Sequence, residues 1–459
     1  MAGATRQRFW LIFLLFLHTV NTYLDRVCIS AAKTDMQRDI AGLDDQMMGL
    51  VFGIFAVGYA LFQIPAGWLS DRLGARRALT IVVVVWSIFT ALTGAVFTAV
   101  SLLIVRFLFG VGEAGAYPGA TRALYQWLPA RERGIGQGIF HSGARIGAAM
   151  SLVIMPALIA WIGWRMMFVA NGMVGIVWAA IWWFWFRDAP EDHRWTSDEE
   201  ARMIAEGIRE HRPVNASLPF IQIVTSKNVL LAMFQYAASN ITFFISITWF
   251  HPYLKERWGE MSANLAALPL LVGAAALWLS GWTVTRLHHR GWPVASRRVP
   301  AMIGYALGAT GLLLCTQVSH LDVAWPLVLC FSLAIFGVEM TLSPSWAFCM
   351  DIGGDRSGAV SGAMNMVGNL GSALSAVLFP YFVAHVTLPV LAESTGSANS
   401  FFVFAAAMNT MAIVAWLFMN PLQKLRPATR TALQLRMFVF AVLISLVAAG
   451  VIYTTFFKK

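Results

Sequence analysis

Polar residues are sparse along most of this chain and recur at intervals of about 20–25 residues, the length of helix that crosses a hydrocarbon core about 30 Å thick. Apolar runs at 9–31, 47–70, 78–98, 100–121, 135–160, 165–186, 228–255, 262–287, 299–319, 323–347, 357–386 and 400–420 predict twelve transmembrane helices. A thirteenth run at 437–457, MFVFAVLISLVAAGVIYTTFF, is expected to span as well, with a hairpin or interfacial segment as the alternative. Backbone N–H and C=O groups find no water in a bilayer, so runs of this kind form helices and the chain is an all-α membrane protein. One long polar stretch separates the first six runs from the second six. Within it, Ser197-Asp198-Glu199-Glu200 has the pattern of a capping box and opens a short amphipathic helix through about Arg209. The expected organisation is a six-helix half over 1–187, a linker over 188–227, a second six-helix half over 228–421, and a basic loop with the extra helix over 422–459.

The halves echo each other. Gly67-Trp68-Leu69-Ser70-Asp71-Arg72-Leu73 follows the second run, and Gly281-Trp282-Thr283-Val284-Thr285-Arg286-Leu287 closes the eighth. Glycines at 134, 138 and 147 fall in step with those at 358, 362 and 371, which makes the fifth and eleventh helices counterparts. Duplicated halves place a substrate site near the midplane, where the repeats meet.

Composition agrees with a bilayer environment. Of 459 residues, 58% are hydrophobic and 12% charged, against about 25% charged in a soluble domain. The net charge of +10 is spread over short loops rather than gathered in a patch, so a nucleic-acid partner is not expected. With the N-terminus in the cytoplasm, about 22 Lys and Arg fall on the cytoplasmic side and about 5 outside, a strong positive-inside bias. Cys28, Cys315, Cys330 and Cys349 lie in or beside apolar runs without zinc-ligand or redox-pair spacing, so no metal or cofactor is expected.

Charges inside apolar runs carry the chemistry. Asp25–Arg26 lies in the first run, and Arg106 and Glu113 lie in the fourth. A charge at membrane depth costs about 2.5–3.5 kcal/mol on insertion scales, so such residues face a partner or a wet cavity. Two carboxylates with two guanidiniums suggest a path for protons and an anion; the alternative is that they only lock helices together. Arg106 and Glu113, seven residues apart, share a helix face.

The residues Gly67-Trp68-Leu69-Ser70-Asp71-Arg72-Leu73-Gly74-Ala75-Arg76-Arg77 resemble the loop signature of the major facilitator superfamily. Arg106 through Gly119, Arg187 through Trp195, Trp249-Phe250-His251-Pro252-Tyr253-Leu254, and Met364 through Gly371 narrow the resemblance to the anion:cation symporter family, over about residues 8–421. That family includes sugar-acid, hexuronate, phthalate and tartrate carriers and the sialin and vesicular glutamate branches. In its proton-coupled sugar-acid members an Asp-Arg pair on the first helix and a Glu on the fourth carry coupling, which implies these roles for Asp25, Arg26 and Glu113, with Arg106 beside them. Arg26 is the expected partner of the substrate carboxylate, since a guanidinium matches it with two parallel hydrogen bonds. Asp25 is expected to neutralise Arg26 while the site is empty, and Glu113 to take up a proton. Its alternative is a permanent pair with Arg106.

The resemblance also implies ligand contacts at Tyr23, Tyr59, Ser343, Ser345, Trp346 and Asn365. Asp71, at the cytoplasmic end of the second run, could pair with arginines or a helix end and latch one conformation, with Arg72 and Arg76 as gating residues beside it. Where sugar-acid carriers place a ligand-binding Gln, this chain has Ala144 followed by Arg145, with His141 opposite Asn365 in the repeat. Arg145 could bind a second anionic group, or snorkel, or pair with another helix; Glu339 is its candidate partner or a further proton site. The expected function is uptake of a small organic anion with protons by alternating access, through a monomer in the inner (plasma) membrane with its N-terminus cytoplasmic. An organic-anion exchanger and a non-transporting receptor are the alternatives. No nucleotide loop, metal cluster or nucleophile–base arrangement points to an enzyme.

Overall fold

The computed structural model of the protein describes residues 5–209, 220–259, 262, 264–386, 398–425, 431, 433 and 434; the thirteenth run at 437–457 lies outside them. The described elements are helical. They are α1 (Gln7–Asp39), α2 (Asp45–Leu73), α3 (Ala75–Thr93), α4 (Ala99–Glu113), α5 (Ala116–Trp127), α6 (Arg133–Trp185), α7 (Asp198–Arg209), α8 (Phe220–Val224), α9 (Lys227–Thr248), α10 (Phe250–Trp258), α11 (Leu268–His289), α12 (Pro293–Val318), α13 (Trp325–Met340), α14 (Leu342–Gly353), α15 (Ser357–His385) and α16 (Asn399–Phe418).

Among the described residues, ten continuous helical stretches are long and apolar enough to cross a membrane. Two of them divide further. Helix α6 turns sharply at Gly163, whose φ of 77° is a left-handed value that only glycine adopts without strain, and so it supplies the fifth and sixth predicted spans. The stretch Trp325–His385 is parted by a 3-10 turn at Gly354–Arg356, giving the tenth and eleventh. All twelve predicted spans are thus present.

The chain folds into two compact units: Met1–Arg212 with Gly353–Met366, and Pro213–Ile352 with Val367–Lys459. In the first unit α1 and α3 pack on α6, and α2 packs on α4. In the second, α12 packs on α13 and α16, α11 on α13, and α9 on α16. Lipid tails are as apolar as leucine, so close packing rather than the hydrophobic effect holds membrane helices together, and small residues at crossings let backbones approach. The glycine repeat marks such crossings. A Cβ on Gly147 of α6 would stand 2.5 Å from the carbonyl oxygen of Val20 on α1, and one on Gly371 of α15 would stand 2.8 Å from that of Ala237 on α9. The same crossing is therefore built once in each unit, fifth helix on first and eleventh on seventh.

The start of α1 has no acidic residue of its own in the first turn. Glu200 supplies one from α7: its carboxylate accepts from the backbone N–H of Gln7 (3.0 Å) and Arg8 (3.2 Å) and pairs with the Arg8 guanidinium at 2.9 Å. Arg8 also pairs with Glu132 at 2.7 Å, at the start of α6. The capping box expected at 197–200 is half formed. Ser197 Oγ accepts from the Glu200 N–H at 3.3 Å, but the Glu200 side chain turns to α1, and the Ser197 N–H donates instead to Thr5 Oγ1 at 2.8 Å. A carboxylate gains more from the open N–H groups of a 33-residue helix and a guanidinium than from one N–H.

Gly147→Ala should cost about 1–3 kcal/mol of stability, the usual penalty of overpacking, because α1 must shift to admit the methyl group. Gly53→Ala, where a Cβ meets nothing within 4 Å, is the control. Thermal unfolding in detergent checks this: Gly147→Ala should melt earlier than wild type and Gly53→Ala should not.

Candidate functional site

The membrane-depth charges of the first half converge between α1, α3 and α4, but not in the expected pairs. Arg26 Nε donates to Glu113 Oε1 at 2.5 Å, joining α1 to the C-terminal end of α4. The Glu113 side chain is 1% exposed and that of Arg26 17%. Asp25 turns away from both. Its Oδ2 accepts from Trp86 Nε1 on α3 at 3.1 Å and from Asn21 Nδ2 at 3.3 Å. Consecutive helical residues point about 100° apart, so one backbone delivers Asp25 to α3 and Arg26 to α4. The expected neutralisation of Arg26 by Asp25 is thereby replaced by Glu113.

Nor does Arg106 pair with Glu113. Seven residues rise about 10 Å along a helix, so two side chains on one face of α4 remain stacked at different depths, while Arg26 reaches Glu113 from the side. Arg106 is 2% exposed, and its Nε is buried without an acceptor. Its guanidinium lies 4.6 Å from the Phe109 ring centre and 5.1 Å from that of Phe55. Arg26 is also ringed by aromatics, at 4.4 Å from Tyr59, 5.3 Å from Tyr23 and 5.4 Å from Phe55. Phe55 therefore touches both guanidiniums, and the negative face of an aromatic ring offsets part of the cost of holding a cation out of water.

Other candidates fall into three groups. Tyr59 lies in the Arg26 group, and its hydroxyl accepts from Asn365 Nδ2 at 3.3 Å within the same compact unit. His141 stacks on Tyr117 with ring centres 5.4 Å apart, and Arg145 acts electrostatically on both rings. Ser343, Ser345 and Trp346 belong to the second unit and are fully buried there. Ser345 Oγ donates to Gln235 Oε1 at 3.1 Å, Ser343 Oγ to the Leu277 carbonyl at 3.4 Å, and Trp346 Nε1 to the Tyr236 hydroxyl at 3.3 Å. Gln235, which sequence reasoning missed, also accepts from Tyr305 at 2.6 Å and from Trp416 at 3.3 Å. Glu339 is 1% exposed and packs against Gly273 of α11.

Asp71 accepts from the backbone N–H groups of Gly358 (2.9 Å) and Ala359 (2.8 Å) in the first turn of α15, again inside the first unit. Arg72 and Arg76 are not its partners: Arg72 lies 4.1 Å from the Trp68 ring centre, and Arg76 lies 4.4 Å from that of Trp183, whose carbonyl accepts from it. The fourth and tenth spans are both interrupted, between α4 and α5 beside Glu113 and between α13 and α14 at Thr341.

The chain has recognisable relatives. The chain is 31% identical over 426 residues to the "Probable sulfoacetate transporter" of Cupriavidus necator, with 92% of this chain and 96% of that protein covered. It is 31% identical over 440 residues to the "Probable galactarate/D-glucarate transporter" of Bacillus subtilis, with 90% and 92% covered. The fold matches that of the proton:xylose symporter solved with 6-bromo-6-deoxy-D-glucose, at a TM-score of 0.71 and 15% identity over 90% of this chain and 96% of that one. The protein is a multi-pass membrane transporter, not an enzyme. It belongs to the Major Facilitator Superfamily, whose profile matches residues 12–376, and within it resembles the sugar-acid transporters.

Removing one partner of a buried ion pair strands the other, a loss of about 3–5 kcal/mol. Glu113→Ala should accordingly destabilise strongly, whereas Arg26→Met with Glu113→Met should retain most of the wild-type stability. Denaturation of the two variants and wild type in one detergent measures the difference; equal losses would mean the two side chains do not interact.

Proposed function

We propose that the protein takes up a small organic anion together with protons by alternating access, and that Arg26 is the group the substrate carboxylate engages. The observation that carries this reading is the Arg26–Glu113 pair: the exchangeable guanidinium is already neutralised by a carboxylate that can itself take a proton. Protonation of Glu113 cancels its charge and frees the Arg26 Nε–H that it holds. An incoming carboxylate then replaces the protein's own. Each event favours the other, so the proton raises anion affinity and the anion raises proton affinity by the same factor. An anion arriving without a proton would have to displace Glu113 and leave it charged in an apolar wall. That cost favours symport over simple exchange.

The substrate we favour carries two acidic groups. Sulfoacetate bears a carboxylate and a sulfonate, and galactarate two carboxylates, and proteins similar to this one are named for them. Arg26 would take one group and Arg145, beside His141 and Tyr117, the second. Tyr23, Tyr59 and Asn365 would orient the chain between, and Asp25, held by Trp86 and Asn21, would be a second proton carrier. Asp71, on the first turn of α15, would stabilise one conformation of the cycle. The charge bias of the loops supports a cytoplasmic N-terminus in the inner membrane, and a monomer suffices for this cycle.

Uptake by proteoliposomes tests the proposal, using labelled monocarboxylates, dicarboxylates and sulfonated acids with and without an inward proton gradient. Wild type should concentrate a dianion only with the gradient. Arg26→Ala should lose uptake by roughly 10–100-fold, the worth of a charge-assisted hydrogen bond, and Glu113→Gln should exchange substrate with a weakened response to pH. Uptake that ignores the gradient and requires an internal anion would make the protein an exchanger. Binding without uptake would make it a receptor.

A further inference from the structure

Outside the charged cluster, the transport reading leaves unused a cavity of about 680 Å³ at the C-terminal end of α6, on the first unit. Its floor is apolar. Val177, Ile181 and Phe184 stand at intervals of four and three residues, so they form one stripe along the helix. They are 55%, 48% and 76% exposed, so no described helix covers them fully. Its rim is cationic and aromatic: Arg187, Arg194 and Trp195 close the end of the stripe. The Arg194 guanidinium lies 4.6 Å from the Trp195 ring centre. Arg187 spends donors on the last carbonyls of α6, with Nη1 2.8 Å from the Phe186 oxygen and 3.0 Å from that of Phe184, which fixes its charge at the mouth.

Among the described residues, none of the neighbouring carboxylates Asp188, Glu191 and Asp192 forms an ion pair with Arg187 or Arg194. No Asp or Glu lines the cavity. Asp188 is turned to the start of α3, where it accepts from the Arg76 N–H at 3.1 Å. A third guanidinium, that of Arg76, stacks on the neighbouring Trp183.

The dimensions fit one kind of occupant. From Val177 to Trp185, the last residue of α6, the helix rises about 12 Å, against about 15 Å for half of a hydrocarbon core, so the apolar stripe runs through most of one leaflet and the arginines beyond it stand toward headgroup level. Tryptophan favours this same level. We propose that this cavity binds an anionic phospholipid, with its phosphate at Arg194 and Arg187 beside Trp195 and an acyl chain along Val177, Ile181 and Phe184. A zwitterionic lipid would bring its own cation to two fixed guanidiniums, and a free phosphate would leave the apolar stripe unused. The site is separate from Arg26 and Glu113 and does not depend on their role in transport.

Native mass spectrometry of the full-length protein in detergent tests this, with dioleoyl phosphatidylglycerol, dioleoyl phosphatidylethanolamine or glycerol 1-phosphate titrated in. Phosphatidylglycerol should bind at least fivefold more tightly than phosphatidylethanolamine, as expected of even one basic residue at the headgroup, and glycerol 1-phosphate should not bind measurably. Arg194→Glu should weaken the phosphatidylglycerol complex at least fivefold. Val177→Trp, which fills the stripe and keeps both arginines, should do the same and stands in if the charge reversal fails to fold. Undiminished phosphatidylglycerol binding in a folded variant of either kind, no preference over phosphatidylethanolamine, or equal affinity for glycerol 1-phosphate would overturn the proposal.

Discussion

An ionised side chain in hydrocarbon has no water to turn to, so its counter-charge must come from the protein or from cargo. The Arg26–Glu113 pair is where this chain meets that requirement, and much of the first unit is arranged to make the pair possible. Helix α1 carries Arg26 to the end of α4, and α4 stops at Glu113, so the carboxylate stands at an interruption of the fourth span. Phe55 and Tyr59 of α2 and Tyr23 of α1 surround the guanidinium with ring faces instead of more carboxylates. Ring faces matter because they ease the burial of the cation without competing for its hydrogen bonds. A second acid in their place would hold Arg26 too firmly to be given up.

The second unit solves its polar problem differently. Gln235, a neutral amide, gathers Ser345, Tyr305 and Trp416 into one hydrogen-bonded group. Such a network is satisfied internally and owes nothing to an outside charge, so it rigidifies its helices. The two units share a helix plan and the same glycine-marked crossing. The second holds a buried ion pair of its own, Arg297 of α12 with Asp351 of α14 at 2.7 Å.

Most of the architecture was legible in the sequence because membrane helices announce themselves by length. The twelve runs, the linker helix at 198–209 and the counterpart glycines 147 and 371 follow from hydropathy and repeat alone. The membership of the charged cluster was legible too, since Asp25, Arg26, Arg106 and Glu113 are conspicuous in apolar runs. Its pairing was not. Neighbours in sequence suggested Asp25 with Arg26 and Arg106 with Glu113, but pairing is set by which way each helix face points, and that depends on how α1, α3 and α4 are rotated in the unit. Trp86 and Asn21 could not have been picked out as partners of Asp25, because a tryptophan and an asparagine in helices have many ordinary uses. The role of Ser197-Glu200 was misjudged for a related reason: a local motif gave way to a stronger acceptor site at the distant start of α1.

One consequence of the re-pairing concerns α1 itself. Asp25 is tied to Trp86 of α3 on one side while Arg26 is tied to Glu113 of α4 on the other. The helix is thus keyed like a shaft with two teeth. Turned about its axis by a single residue step, roughly 100°, it would disengage both at once and align neither with the other's socket. Loss of the Glu113 charge removes one tooth and leaves the second, so α1 gains freedom to swivel about the Asp25 anchor instead of sliding free. Protonation here would set an angle as well as a charge.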